Sequence, residues 1–138
     1  GIPMVGRGLA CGDLDNDGDL DLVASCIGGP ARIYRNVVAR DRHWLVVSAI
    51  DTSLAGRDAY GAEIIVRTGT RRHWGVIQPS YSYLSSNDPR AHFGLDQETV
   101  YEEIKITWPD GTQERFPGGP ADRVVVLQRG NQGKVAAP

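Results

Sequence analysis

The stretch Glu103–Phe116, EIKITWPDGTQERF, decides the fold class. Ile104, Ile106 and Trp108 alternate with Lys105 and Thr107. A period of two places apolar side chains on one face of a strand and leaves the other face wet. Pro109-Asp110-Gly111 comes next, followed by the run Gln113–Phe116. Proline presets φ for a turn and Gly111 can adopt the left-handed conformation, so the two runs read as a β-hairpin.

The same grammar extends outward in both directions. Ala62, Ile64 and Val66 alternate with Glu63 and Arg67, whereas Trp44–Ile50 is apolar on both faces and reads as a central strand. Further strands are expected at Arg7–Cys11, Leu20–Ser25, Arg32–Asn36, Arg72–Ile77, Ala91–Phe93 and Arg123–Arg129. Only Asp96–Glu103 admits a helical reading, of one short turn. Many short strands broken by 17 glycines and 8 prolines imply an all-β chain, a β-sandwich or barrel.

Composition narrows the function classes. With 138 residues the chain is about one domain's worth and can bury a core without staples. No apolar run approaches the ~18 residues of a membrane-spanning helix, so membrane insertion is not expected. A net charge of -2 excludes a strongly basic nucleic-acid binder. That small total hides a local excess, because Asp13, Asp15, Asp17, Asp19 and Asp21 fall within a single short segment.

The segment Asp13–Asp21 reads D-x-D-x-D-G-x-x-D. Ca²⁺ takes about six to eight hard oxygen ligands in a flexible geometry. Alternate residues of a tight loop aim Asp13, Asp15 and Asp17 to one side. Gly18 permits a sharp turn with positive φ, which directs the Asp19 carbonyl inward, and Asp21 adds a fourth carboxylate. Mg²⁺, which demands stricter octahedral geometry, is the lesser alternative. The helix–loop–helix version of such a loop needs a glutamate where this chain has Ala24, and both flanks read as strands. The loop is therefore expected to join two strands. Leu14, Leu20 and Leu22 are expected in the core and Asn16 in the turn.

Gly12–Asn36, GDLDNDGDLDLVASCIGGPARIYRN, resembles an FG-GAP/VCBS repeat. That family builds β-propeller blades with Ca²⁺ in hairpin loops. The resemblance implies side-chain ligation by Asp13, Asp15, Asp17 and Asp21, main-chain ligation by Asp19, and Arg32–Asn36 as the last strand of the blade. A propeller needs several repeats, so the others are expected upstream in a longer parent. Three later segments resemble the ASPIC/UnbV domain: GRDAYGAEI (Gly56–Ile64), SYLSSNDPRAHFGL (Ser82–Leu95) and EIKITWPDGTQERF. Tyr60 departs from the smaller aliphatic residue more usual there. Together the resemblances imply a secreted or cell-surface protein, extracellular or periplasmic; the chain shows no signal peptide at its start. The composition shift near residues 37–43 sets the expected division at 1–40 for the repeat and 41–138 for a β-sandwich-like domain.

Other polar residues carry less. Ser85, Asp88 and His92 lie close in sequence, but no nucleophile elbow accompanies them, and a turn in which Ser85, Ser86, Asn87 and Asp88 bond to backbone is expected. His43, His73 and His92 lack zinc-ligand spacing. Arg57-Asp58 and Asp88-Pro89-Arg90 are expected to form structural ion pairs, with a recognition patch as the alternative. Tyr60, Trp74, Tyr81 and Tyr83 read as packing residues or as a sugar platform. The even count of Cys11 and Cys26 suggests a disulfide, but pairing the hairpin symmetrically about Asp17 puts Cys11 opposite Val23 and away from Cys26, so two small buried hydrophobes are expected, with the bond as the alternative.

The expectation is a non-enzymatic, Ca²⁺-binding extracellular interaction or adhesion module, with a carbohydrate-binding accessory domain as the alternative. Its partner would be an extracellular protein or glycan and not a nucleic acid. The hairpin, with unpaired edges and apolar faces, would either pack on its own chain or form a homo-oligomer, the second being favoured.

Overall fold

The structure is a computed structural model and describes residues 5–37 and 41–131. The expected division at residue 40 falls at a segment, 38–40, outside the described residues. Two compact units emerge: Gly1–Ala39 with Pro79–Asp88, and Arg40–Gln78 with Pro89–Pro138. Segment 79–88, which the sequence places within the second unit, clusters with the first.

The first unit is a three-stranded antiparallel sheet of β1 (Gly6–Gly12), β2 (Asp21–Cys26) and β3 (Arg32–Tyr34), with β2 central. Cys11 faces Leu22 and not Val23, and the register shifts again between Gly6 and Leu9. The one-residue difference matters because a slip of one turns every side chain to the other face. Cys11 and Cys26 are both free thiols. The open edge of β1 is closed by segment 79–88. The Asp88 N–H donates to the Cys11 carbonyl at 3.0 Å, and the Cys11 N–H donates to Asn87 Oδ1 at 2.9 Å. The Ser82 hydroxyl reaches the Leu9 carbonyl at 2.5 Å. These bonds satisfy backbone groups that an edge would otherwise offer to another chain. Ser85 also bonds to backbone, at the Tyr83 carbonyl, as expected of a turn.

A single small sheet has little to bury against. Leu14, Leu20 and Leu22, expected in the core, are 54%, 41% and 40% exposed. Ala24 is the one apolar side chain of this unit that is buried among the described residues.

The second unit holds the core. Strand β4 (His43–Asp51) is its organising element. It pairs in parallel with β11 (Arg123–Gln128) and antiparallel with β5 (Arg57–Asp58) and β8 (Ala91–Asp96). A strand flanked by partners and covered on its faces is expected to be largely apolar, and Leu45–Ala49 is buried throughout, with Ser48 its one polar side chain. The other sheet runs β10 (Gln113–Pro120), β9 (Val100–Thr107), β6 (Glu63–Thr68), β7 (Arg71–Val76), all antiparallel. Ile64 faces Ile106, and Val66, Ile104 and Phe116 form one row across three strands. These residues share one buried cluster with Leu45, Val47, Phe93, Val125 and Leu127 of the β4 sheet. The architecture is all-β and sandwich-like. The helical turn considered for 96–103 is absent: Asp96 ends β8, Gln97–Thr99 makes the connection and β9 begins at Val100.

The hairpin turn forms as its residues dictate. The Gly111 N–H donates to the Trp108 carbonyl at 2.8 Å, and Gly111 has φ 84°. Asp110 caps it by accepting from the Thr112 N–H at 3.0 Å and the Thr112 hydroxyl at 2.7 Å. Arg129 clamps this turn to the end of β4. It bonds Asp110, donates to Thr112 Oγ1 at 2.9 Å and to Asp51 Oδ2 at 3.1 Å, and lies over the Trp108 ring, 5.7 Å from its centroid.

A pH dependence follows. The Thr112 hydroxyl first, then the Arg129 guanidinium, lower the Asp110 carboxyl to about 2. An unfolded aspartate titrates near ~3.9. A depressed carboxyl stabilises the fold fully above the unfolded value and loses that contribution as pH falls through the folded one. Thermal melts should therefore show stability declining between about pH 4 and pH 2. Asp110→Asn should flatten that decline; an unchanged acid slope in the variant would contradict the role of this carboxylate.

Candidate metal centre

Five aspartates in a hairpin loop repel one another unless something holds them, and the loop shows what does. Asp13, the first residue after β1, is buried. Its Oδ1 accepts from the Asp17 N–H and its Oδ2 from the Gly18 N–H, both at 3.1 Å. Asp17 Oδ1 accepts from the Asp19 N–H at 3.0 Å. That bond, with Arg35 alongside, holds the Asp17 carboxyl below the usual carboxylate range. The loop turns through left-handed residues Asn16 (φ 57°) and Gly18 (φ 92°). Asn tolerates that region and glycine has no Cβ to clash.

The fold brings Asp13, Asp15 and Asp17 together, with one carboxylate oxygen from each inside a 4.8 Å cluster. Three convergent hard oxygens suit Ca²⁺ or Mg²⁺ in preference to a soft-ligand metal. The carboxylates of Asp19 and Asp21 are not part of that cluster, and the ligand expected from Asp19 is its main-chain carbonyl. Asp21 is buried and works as a tie: Oδ2 accepts from the Leu14 N–H at 3.2 Å and Oδ1 from the Asn36 N–H at 2.8 Å. It thereby pins both the loop and the exit of β3.

Arg35 is the residue that sequence reasoning did not connect to this loop. Its guanidinium lies 2.5 Å from Asp15 and 3.6 Å from Asp17. The sequence signal was a cation one residue beyond β3, on the strand that flanks the loop. Read only as the end of a strand, it gave no hint of charge neutralisation.

Gly18→Ala tests the turn. A Cβ at φ 92° strains the backbone by about 1 kcal/mol or more and shifts the N–H that Asp13 accepts. Calcium affinity measured by calorimetry should fall, although no carboxylate is lost. Undiminished affinity would show that the loop does not depend on the left-handed turn.

The polar residues of the second unit are placed as follows. His43 Nδ1 lies 2.6 Å from Asp122, and His73 Nε2 lies 3.0 Å from the Thr68 hydroxyl. Arg57 and Asp58, expected to form ion pairs, have no side-chain partner among the described residues. Tyr60, Trp74, Tyr81 and Tyr83 are all exposed.

Comparison with known proteins bears on both units. The family model described as ASPIC and UnbV matches residues 53–134. Cartilage acidic protein 1 of Xenopus tropicalis is 33% identical over 110 residues, which cover 77% of this chain and 16% of that protein. The proteins of the same name from Homo sapiens and Mus musculus are each 32% identical over 110 residues. The chain thus spans about one sixth of the length of the curated relatives it matches. The matched residues take in most of the sandwich-like unit and the segment that closes β1, and the chain belongs to the ASPIC/UnbV family.

Proposed function

We propose that this chain is a calcium-binding, non-enzymatic interaction module of an extracellular protein, and that its first unit is a hairpin repeat of the FG-GAP/VCBS kind. The convergence of Asp13, Asp15 and Asp17 around a buried Asp13 carries the reading. Loop spacing D-x-D-x-D-G supports calcium over magnesium, because two of the three carboxylates are exposed and leave room for the larger ligand shell that calcium takes. The ion would neutralise the loop and fix the hairpin, which is a structural role. Cartilage, in the name of the relatives, is a tissue of extracellular matrix, and that supports secretion.

The partner would be an extracellular protein or a second copy of this chain. Leu9, Ile33 and Tyr34 are exposed on the first unit, at 49%, 69% and 48%, and offer apolar surface to such a partner.

The test is thermal unfolding in calcium and in EDTA. A ligand that binds only the native state stabilises it by RT ln(1 + [L]/Kd), about 2.7 kcal/mol at 100 Kd. Calcium should raise the melting temperature, and Asp15→Ala with Asp17→Ala should abolish most of the rise. Identical melting in calcium and EDTA would overturn the assignment. Light scattering on the same samples reads the association state.

A further inference from the structure

The second unit carries a concavity that the acidic loop does not explain. It has a volume of about 390 Å³ and is lined by Ile50, Leu54, Gly56, Arg57, Asp58 and Tyr60. That lies at the small end of the range for small-molecule clefts. We propose that it is a binding site for a neutral saccharide of one or two rings, with Tyr60 as the stacking platform and Asp58 as the hydroxyl acceptor.

Local alternation builds the pair. Ala59 is fully buried and its N–H donates to the Ala49 carbonyl at 2.8 Å. Asp58 and Tyr60, on either side of it, are turned away from the core. The Tyr60 N–H donates to the Asp58 carbonyl at 2.9 Å, which fixes the spacing between the two. Asp58 faces Ile50 in the ladder and so shares its face.

The opposite wall is equally well held. The 3₁₀ turn Thr52–Leu54 is capped by Asp51, whose Oδ1 accepts from the Ser53 N–H at 2.9 Å and the Ser53 hydroxyl at 2.6 Å. The Gly56 N–H returns to the Asp51 carbonyl at 3.2 Å, and the Thr52 hydroxyl donates to the Arg129 carbonyl at 3.1 Å. Positioning by secured backbone is what keeps a binding site preorganised.

The chemistry of the lining selects the ligand class. Tyr60 and Leu54 stay 57% and 52% exposed although they flank a cleft, which leaves an aromatic and an aliphatic wall for the C–H face of a sugar ring. Asp58 is half-buried, and neither it nor Arg57 has a side-chain hydrogen bond or ion pair among the described residues. A half-buried carboxylate without a partner lacks the stabilisation that a bound donor supplies. Sugar hydroxyls would supply it. Arg57 at the rim cancels the charge of Asp58, so the site favours neither anions nor cations. Trp74, Tyr81 and Tyr83 do not line this concavity, so the site does not draw on the other exposed aromatics.

The experiment is ligand-observed NMR on the full chain. The probes are glucose, galactose, mannose, N-acetylglucosamine, lactose and cellobiose, each run in calcium and in EDTA. At least one should bind in both buffers. Tyr60→Ala and Asp58→Asn should each weaken it by about tenfold, while Tyr60→Phe, which keeps the ring, retains it. These positions are exposed or half-buried, and circular dichroism would verify the variants' fold. Four results would each overturn the proposal: no binding by any of these sugars, binding that survives both substitutions, loss of binding in Tyr60→Phe, or binding seen only in calcium. The last would move the sugar to the acidic loop. Because the sugar site needs no metal, its failure leaves the calcium reading standing, and the reverse holds too.

Discussion

Phe116→Ala should destabilise the second unit by about 3–5 kcal/mol, the range for removing a large aromatic from a core. Phe116 is 1% exposed and stands in the row with Ile104 and Val66, with the β4 sheet supplying the rest of the cluster. Removal of the ring leaves a cavity that three paired strands cannot close without breaking their register. A domain of ordinary stability has about 5–15 kcal/mol in all, so this one change consumes much of it. Urea unfolding should show a lower midpoint at an unchanged slope. The neighbouring Arg115 is the internal control. It pairs with Glu103 at 2.6 Å on the wet face of the same strand, and exposed pairs contribute little. If Arg115→Ala matched the loss in Phe116→Ala, the row would not be the centre of the core.

The acidic loop should divide its aspartates into two classes. Asp13 holds two backbone N–H groups and also contributes an oxygen to the cluster, whereas Asp15 contributes an oxygen and pairs with Arg35. Asp13→Asn places an amide donor against one of those two N–H groups. It should lower the melting temperature in EDTA and abolish the calcium response, a loss of affinity on the order of a hundredfold or more given the charge and ligand removed. Asp15→Asn should reduce the calcium response while leaving the melt in EDTA little changed. Parallel melts of the two variants distinguish the classes. Equal behaviour in EDTA would mean that the Asp13 bonds to Asp17 and Gly18 do not organise the loop.

Much of this chain is legible locally. Period-two alternation identifies β6 and β9, the hairpin turn after β9 marks β10, and apolarity on both faces marks β4 as central. The Pro109-Asp110-Gly111 turn and the left-handed Gly18 follow from residue chemistry within a few positions. The three aspartates that converge are read from their spacing alone. These features depend on neighbours along the chain, and so the order of residues determines them.

What only the tertiary structure decides depends on partners distant in sequence. The two-residue β5 has no periodicity and exists because Ile50 and Asp51 offer it an edge. The parallel pairing of β4 with β11 joins residues about 78 apart, and no local pattern announces it. Segment 79–88 joins the first unit because Cys11 has an unpaired N–H and carbonyl to satisfy. Leu14, Leu20 and Leu22 look like core residues, yet three short strands make a sheet too small to bury them, and they stay exposed. Arg35 reaches the acidic loop through backbone geometry set elsewhere. Hydrophobic pattern and turn chemistry act over a few residues, whereas register, edge closure and charge pairing are settled only when distant strands compete for the same backbone groups.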